Sequence, residues 1–207
     1  MLYLYEHTDR ETEEFYQSML PLLSEQRKTA VSRCRHLIDR VNGSIVYLML
    51  RYGLQKEYGL SVKPEFVFRE NEKPYLADFP EIHFSFSHCK NAAACILSDA
   101  NTAVDIMDYR IRSRSAITRV CSSQELQQLE ESEEPDKAFL RLWTRKECIS
   151  KLNGIGLQQD FREITDELPE MQRIHTILSS EYLFSFYGDE TTPILHPDRN
   201  SLLQLSV

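Results

Sequence analysis

The strongest constraint on the fold comes from residues 82–107, where three short strand-like segments follow one another closely. The predicted strands cover residues 82–87, 92–97 and 102–107, and the turns between them cover residues 89–91 and 98–101. Turns this short favour an antiparallel meander, in which the first and third strands end at the same edge of the sheet. We therefore expect Ser87 and His88 to lie near Asp105 and Met107.

Helical patterns surround this segment on both sides. Helices are predicted over residues 44–58, ending at Gly59, and over residues 138–152, ending at Asn153 and Gly154, and a Ser122-x-x-Glu125 capping box begins another. The last 50 residues are predicted to form strands, including residues 182–187, and a frayed tail. This order predicts an α+β fold of two halves with a similar plan, residues 1–100 and 101–207.

Composition narrows the possible functions of the 207-residue chain. Its formal net charge of -8 argues against broad binding of nucleic acid or anionic membranes. The sequence contains neither a secretory leader nor an apolar run of about 18 residues, so no membrane span is expected. Its five cysteines are scattered and never spaced as C-x-x-C, which favours free thiols and a cytoplasmic protein.

Three residues of the long second helix are candidates for chemistry. Trp143, Glu147 and Lys151 are spaced four apart and therefore share one stripe of that helix. Glu147 and Lys151 could form an exposed ion pair of little consequence. However, the only tryptophan of the chain predicts a mostly buried stripe, and a Glu and a Lys beside it indicate a cleft.

Asp105 lies in an otherwise apolar strand, Ala-Val-Asp-Ile-Met. A buried carboxylate is costly unless it is paired or binds a cation, although a strand-end Asp can also reach water or a turn amide. His88 alone, or Lys73 and Pro74 alone, would indicate no more than a structural histidine and a basic turn. Together with Asp105 and the helical stripe, they are the groups that a pyrophosphate–magnesium site requires.

At this point the sequence resembles the 4'-phosphopantetheinyl transferase superfamily, in its long, monomeric, surfactin-activating type. The matching segments are Lys73-Pro74, Phe84 to His88, Val104 to Ile106, the block from Trp143 to Lys151, Gly154 and Gly156-Leu157. The block from Trp143 to Lys151 fits the pattern W-x-x-K-E-(S/A/C)-x-x-K. The resemblance implies a pseudo-dimer of two similar α+β halves, each with a small antiparallel sheet and a long helix, with coenzyme A bound between them.

The resemblance also implies the role of each site residue. Coenzyme A would be bound by Arg40, Lys73, Pro74, Ser87 and His88, with Arg27 and Lys28 near the 3'-phosphate; Mg²⁺ would be bound by Asp105 and Glu147; and Lys151 would contact the pyrophosphate. The serine hydroxyl of an apo acyl or peptidyl carrier protein would attack the phosphorus that bears the arm, and 3',5'-ADP would leave. Its proton would pass to Glu147 or to a metal-bound water.

Met107 is the main departure from the pattern, because many members of the superfamily have a second acidic ligand there. Asp108 cannot replace it, since alternation along a strand points it to the other face. This departure keeps a second interpretation open, a degenerate member that binds coenzyme A or a carrier protein without transfer. A magnesium-dependent hydrolase of a nucleotide pyrophosphate is a third. Four arginines within residues 109–119, predicted to be a loop, are a candidate docking surface for an acidic carrier.

Overall fold

The computed structural model describes residues 1–68, 73–110, 113–154 and 160–205. The strands in these ranges are β1 Leu2–Glu6, β2 Phe66–Val67, β3 Tyr75–Leu76, β4 His83–His88, β5 Ala92–Ser98, β6 Ala103–Asp108, β7 Ile174–Leu178, β8 Tyr182–Tyr187 and β9 Ile194–Leu195. The α-helices are α1 Glu13–Met19, α2 Glu25–Ser32, α3 Leu37–Tyr58, α4 Arg114–Val120, α5 Ser123–Glu130, α6 Pro135–Asn153 and α7 Arg199–Leu203. No helix in the described ranges is long and apolar enough to cross a bilayer.

The first half of the chain packs α3 against a sheet with the strand order β4-β5-β1-β9. The helix approaches the sheet closely at Gly53, where an added Cβ would lie 2.7 Å from a methyl carbon of Leu97 and 2.8 Å from the ring of Tyr3. Gly59 ends α3 in the left-handed conformation, with φ of 69°, which confirms the predicted cap. The helix begins at Leu37, well before the predicted residue 44.

The second half packs α6 against a separate antiparallel sheet with the order β6-β8-β7. Pro135 occupies the first turn of α6, and Gly154 ends the helix with φ of 74°. The capping box of Ser122 and Glu125 at the start of α5 is confirmed. The mixed α+β class is therefore confirmed; the described residues form these two sheets, a two-stranded sheet of β2 and β3, and two long helices.

The predicted meander is wrong, although its three strands lie within a residue of the predicted positions. β6 pairs with β8 and not with β5, because β5 is bonded to β4 on one side and to β1 on the other. The two sheets instead pack together through apolar side chains, namely Leu2, Leu4, Ala94 and Ile96 from the first and Val104, Ile106, Phe184 and Phe186 from the second. This packing brings β6 into contact with β4.

The C-terminal segment is not a frayed tail. β9 pairs in parallel with β1, so the first sheet is not purely antiparallel, and Leu202 of α7 is buried in the first core. The boundary at residue 100 stays a prediction, but the last described residues, 194–205, thus lie on the first half.

The predicted loop over residues 109–119 also changes, because α4 begins within it at Arg114; residues 111 and 112 lie outside the described ranges. Gly156 and Leu157 of the matching segments lie outside the described ranges as well. All five cysteines are free thiols, as predicted.

Candidate active site

The candidate site lies where the end of β4 meets the middle of β6. Ser87 Oγ donates a hydrogen bond of 2.8 Å to Asp105 Oδ1. Two residues earlier on β4, Ser85 Oγ accepts a hydrogen bond of 3.2 Å from the backbone N–H of Val104. This bond joins β4 and β6, although the two strands belong to different sheets. The predicted proximity of Ser87 and Asp105 is therefore confirmed, but sheet packing produces it rather than a meander.

Asp105 is 7% exposed and forms an ion pair with α6. Lys151 Nζ lies 2.7 Å from Asp105 Oδ1 and donates a second bond of 2.9 Å to the carbonyl oxygen of Val104. Burial acts to lower the pKa of Lys151, but the charge and hydrogen bond of Asp105, together with Cys148 and Glu147, act in the opposite direction, and the pKa is raised. The ammonium group of Lys151 is thus held in its charged form beside the carboxylate.

Glu147 shares the helical stripe with Lys151 but does not form the exposed i,i+4 pair considered from the sequence. Its Oε1 accepts a bond of 3.2 Å from the indole N–H of Trp143. Burial raises the pKa of Glu147, and the negative charge of Asp105 raises it further, while Lys151 and Trp143 act in the opposite direction. The effect of Asp105 means that two carboxylates, one on β6 and one on α6, lie close enough to repel each other.

Met107 lies on the same face of β6 as Asp105 and packs against the second core, which includes Trp143 at its border. Asp108 points the other way. Its carboxylate pairs with Arg110 at 2.7 Å and accepts a bond of 3.4 Å from the backbone N–H of Lys90. The predicted strand alternation is confirmed, and Asp108 cannot substitute for an acidic residue at position 107.

Lys73 and Pro74 line a cavity of about 300 Å³ together with Phe84, Phe86 and Lys151. Lys73 Nζ donates to the carbonyl oxygen of Thr102. Burial lowers the pKa of Lys73 to about 8, and the nearby charge of Lys151 adds to this effect. Two cations that repel each other across an apolar cavity make a suitable site for an anion with a flat aromatic group.

His88, at the end of β4, lies near a second buried cation. Burial lowers the pKa of His88, and Arg27 lowers it further, while Asp39 raises it. Arg27 donates to the carbonyl oxygen of Gly43 and lies 5.4 Å above the ring of Phe86. Burial lowers the pKa of Arg27 to about 10.

Arg40 and Lys28 are placed less directly. The guanidinium of Arg40 lies 3.5 Å from Glu13 and 5.1 Å above the ring of Tyr16, and its buried Nε has no hydrogen-bond partner among the described residues. Lys28 pairs at 2.6 Å with Glu25 on the surface of α2. The described contacts therefore do not connect either residue to Asp105 or to the Lys73 cavity.

Lys146 belongs to the matched block from Trp143 to Lys151 but had no predicted role; it is 0% exposed and lies next to Glu147 on α6. Position 146 lies two turns from the buried Phe139 on one face of the helix, and this spacing is the signal that could have identified a buried lysine.

Comparisons with known proteins agree with this geometry. Residues 102–194 match the family model of the 4'-phosphopantetheinyl transferase superfamily. The 4'-phosphopantetheinyl transferase psf-1 of Bacillus pumilus is 26% identical over 166 residues, which cover 78% of this chain and 71% of the relative. A 4'-phosphopantetheinyl transferase of Bacillus subtilis is 27% identical over 67% of this chain and 63% of the relative. The transferase AcpT of Salmonella typhi is 35% identical over 46% of this chain and 52% of the relative. The family model and these relatives show that the chain is similar to the 4'-phosphopantetheinyl transferase superfamily.

Proposed function

We propose that the protein transfers the 4'-phosphopantetheine arm of coenzyme A to a serine of an apo acyl or peptidyl carrier protein and releases 3',5'-ADP. The observation that carries this proposal is the meeting of Ser87, Asp105, Glu147 and Lys151 at the junction of the two sheets. The names of the relatives add support, although the chain spans only about two thirds of the first two relatives' length.

The architecture is proposed to be that of a pseudo-dimer of the long, monomeric, surfactin-activating type. Each half has one long helix, α3 or α6, on its own sheet, and the sheets pack face to face. The Lys73 cavity lies between β4 of the first half and α6 of the second, which is where a ligand bound between two halves would be expected.

Coenzyme A is proposed to bind along this junction. The adenine would lie in the Lys73 cavity against Pro74, and Ser87 and His88 would face the phosphates. Arg27 is a half-buried cation near His88 that would approach a phosphate there. The proposed role of Arg40 is supported by its buried Nε, because an anionic ligand would accept a hydrogen bond from this N–H donor.

The proposed magnesium ligands are Asp105 and Glu147. In the described ranges, no group of three or more His, Cys, Asp or Glu side chains converges, and the proposed donor set is these two carboxylates. Burial raises the pKa of Glu147 and the charge of Asp105 raises it further, and a divalent cation between the two carboxylates would offset their repulsion. Magnesium prefers oxygen ligands and is commonly bound by one or two carboxylates and substrate phosphates. When bound, it would neutralise charge on the pyrophosphate.

The side chains of the protein then have distinct roles in the transfer. The serine oxygen of the carrier forms a bond to the phosphorus that bears the arm, while the bond from that phosphorus to the bridging pyrophosphate oxygen breaks. Lys151 stabilises the negative charge that develops on the phosphate oxygens. Glu147, which lies near Asp105 and Lys151, is proposed to accept the serine proton.

The function is tested by incubating the protein with coenzyme A, Mg²⁺ and a panel of apo carrier proteins, then weighing the carriers by mass spectrometry. A carrier that gains the mass of one phosphopantetheine arm supports the proposal. Hydrolysis of coenzyme A without any carrier would indicate the pyrophosphate hydrolase instead. Binding of coenzyme A or of a carrier, with no carrier modified and no hydrolysis, would indicate the degenerate member.

The arginines of residues 109–119 are proposed to dock the carrier. Arg110 is held in place by Asp108, and Arg114 and Arg119 are exposed on α4; Arg112 lies outside the described ranges. Replacing Arg110, Arg114 and Arg119 by Ser should raise the KM for the carrier about tenfold, more at low salt, because acidic carriers lose electrostatic attraction. The KM for coenzyme A should not change.

Steady-state kinetics with the modified carrier as readout measure both constants. Arg10→Ser, at an exposed position on the first half, is the matched control and should change neither. Unchanged carrier kinetics in the triple variant would place docking elsewhere on the protein.

A further inference from the structure

Lys146 is a fully buried lysine whose three N–H donors each have an acceptor. Its Nζ lies 2.9 Å from the carbonyl oxygen of Val120, 2.9 Å from the carbonyl oxygen of Phe161 and 2.7 Å from Glu125 Oε2. A buried ammonium group is tolerated only with such complete pairing. The contacts of Lys146 are therefore specific and are more than a consequence of its position in the helix.

These three acceptors belong to three segments that are separate in sequence. Val120 is the last residue of α4, Glu125 belongs to the first turn of α5, and Phe161 begins a 3₁₀ turn, Phe161–Glu163. Glu125 Oε2 also accepts a bond of 2.7 Å from the backbone N–H of Ser122, so the capping box and the lysine share one carboxylate oxygen. A single ammonium group thus joins α4, α5 and the 3₁₀ turn to α6.

Two of the segments joined by Lys146, α4 and the 3₁₀ turn, line a cavity beside Glu147. This cavity has a volume of about 390 Å³, and Val120 and Phe161 line it together with Arg119, Trp143 and Glu147. Val120 and Phe161 are the same two residues whose backbone carbonyl oxygens accept hydrogen bonds from Lys146. Movement of either segment would change the space in front of Glu147.

We infer that Lys146 is a positioning residue that sets α4 and the turn Phe161–Glu163 relative to Glu147, and thereby fits the carrier serine to the site. This inference rests on the proposed function. Within the described residues, the hydrogen bonds of Lys146 reach Val120, Glu125 and Phe161 and no residue proposed to bind coenzyme A, so its effect is expected on the carrier and not on the nucleotide. The role of Lys146 is therefore separate from that of the neighbouring Glu147, which is proposed to touch the reacting groups.

The test uses Lys146→Met, which keeps most of the side-chain volume and removes all three donors. Because this change leaves Glu125 without its cation, a second variant, Glu125→Gln with Lys146→Met, removes the unpaired charge; a Gln still supports a capping box. Lys137→Met, at an exposed lysine of the same helix, is the matched control. Thermal unfolding, coenzyme A binding by calorimetry with Mg²⁺, carrier kinetics and amide hydrogen exchange are measured for each.

The double variant is expected to recover most of the thermal stability lost in Lys146→Met. It should still lose roughly 10- to 100-fold in kcat/KM for the carrier, because a displaced wall of the cavity misaligns the attacking serine. Affinity for coenzyme A should stay at the wild-type value. Amides of α4 and of residues 161–163 should exchange faster than in the control. Wild-type carrier kinetics in the folded double variant would overturn the inference.

Failure of the proposed function is a separate outcome. If the wild-type protein modifies no carrier, the assignment of the reaction fails, and the exchange measurement still tests whether Lys146 positions the walls. Wild-type exchange in α4 and residues 161–163 of the double variant would then overturn the positioning role.

Discussion

Glu147→Gln is expected to lower the rate of phosphopantetheine transfer by ~10²–10³ while the fold stays intact, which is the usual effect of removing one charge stabiliser from a preorganised site. The amide keeps the shape of the side chain and can still contact Trp143, but it loses the charge that lies near Asp105. Lys151→Ala should lower the rate by a similar factor, since it removes the cation next to the reacting phosphate.

The two variants differ in their expected stability. Lys151→Ala leaves the mostly buried carboxylate of Asp105 with Ser87 but without its ion-pair partner, so a lower midpoint of thermal unfolding is expected. Glu147→Gln leaves no such unpaired charge and is the cleaner test. The readout is initial-rate transfer at saturating coenzyme A and carrier, with Lys137→Ala as the control on the exposed face of the same helix. Near-normal turnover in both site variants would refute the assignment of the site.

Local patterns in the sequence were sufficient to predict where the central strands lie. β4, β5 and β6 begin and end within a residue of the predicted positions, because alternation and turn residues act over a few neighbours. Local patterns do not predict the hydrogen-bond partner of each strand, because that partner can be a strand far away in sequence. β1 occupies the free edge of β5, and β8 pairs with β6, and neither fact can be read from the short turn at residues 98–101.

The same division applies to the candidate site. The spacing of Trp143, Glu147 and Lys151 predicted a shared stripe because helical geometry determines it. The partner of Lys151 did not follow from spacing, since Asp105 is on a different element and competes successfully with Glu147. The burial of Lys146 also depends on acceptors from three distant segments, so the sequence alone gave only a lysine beside a glutamate.

A prediction at Met107 distinguishes a magnesium site of reduced affinity from one that no longer binds magnesium. With Met107 in place of an acid, the proposed magnesium ligands are Asp105 and Glu147 alone, and one negative charge is absent from the face that Asp105 and Met107 share. One or two carboxylates with phosphate oxygens are sufficient for magnesium, so transfer should persist but depend steeply on added Mg²⁺. Met107→Glu should lower the concentration needed for half-maximal rate by about tenfold, the effect of one more nearby charge.

Asp105→Ala should be far more damaging than any change at Met107, with a loss of ~10²–10³ in rate, because it removes a remaining ligand and the partner of Lys151. Rates are measured against Mg²⁺ concentration at saturating carrier, with Asp108→Asn as a control on the opposite face of β6. Full activity in excess chelator would refute the metal site. A second outcome is that Met107→Glu leaves the magnesium requirement unchanged while Asp105→Ala abolishes transfer. The carboxylate added on the face of Asp105 would then have had no cation to bind. In that case Asp105 would act through Lys151 and not as a magnesium ligand.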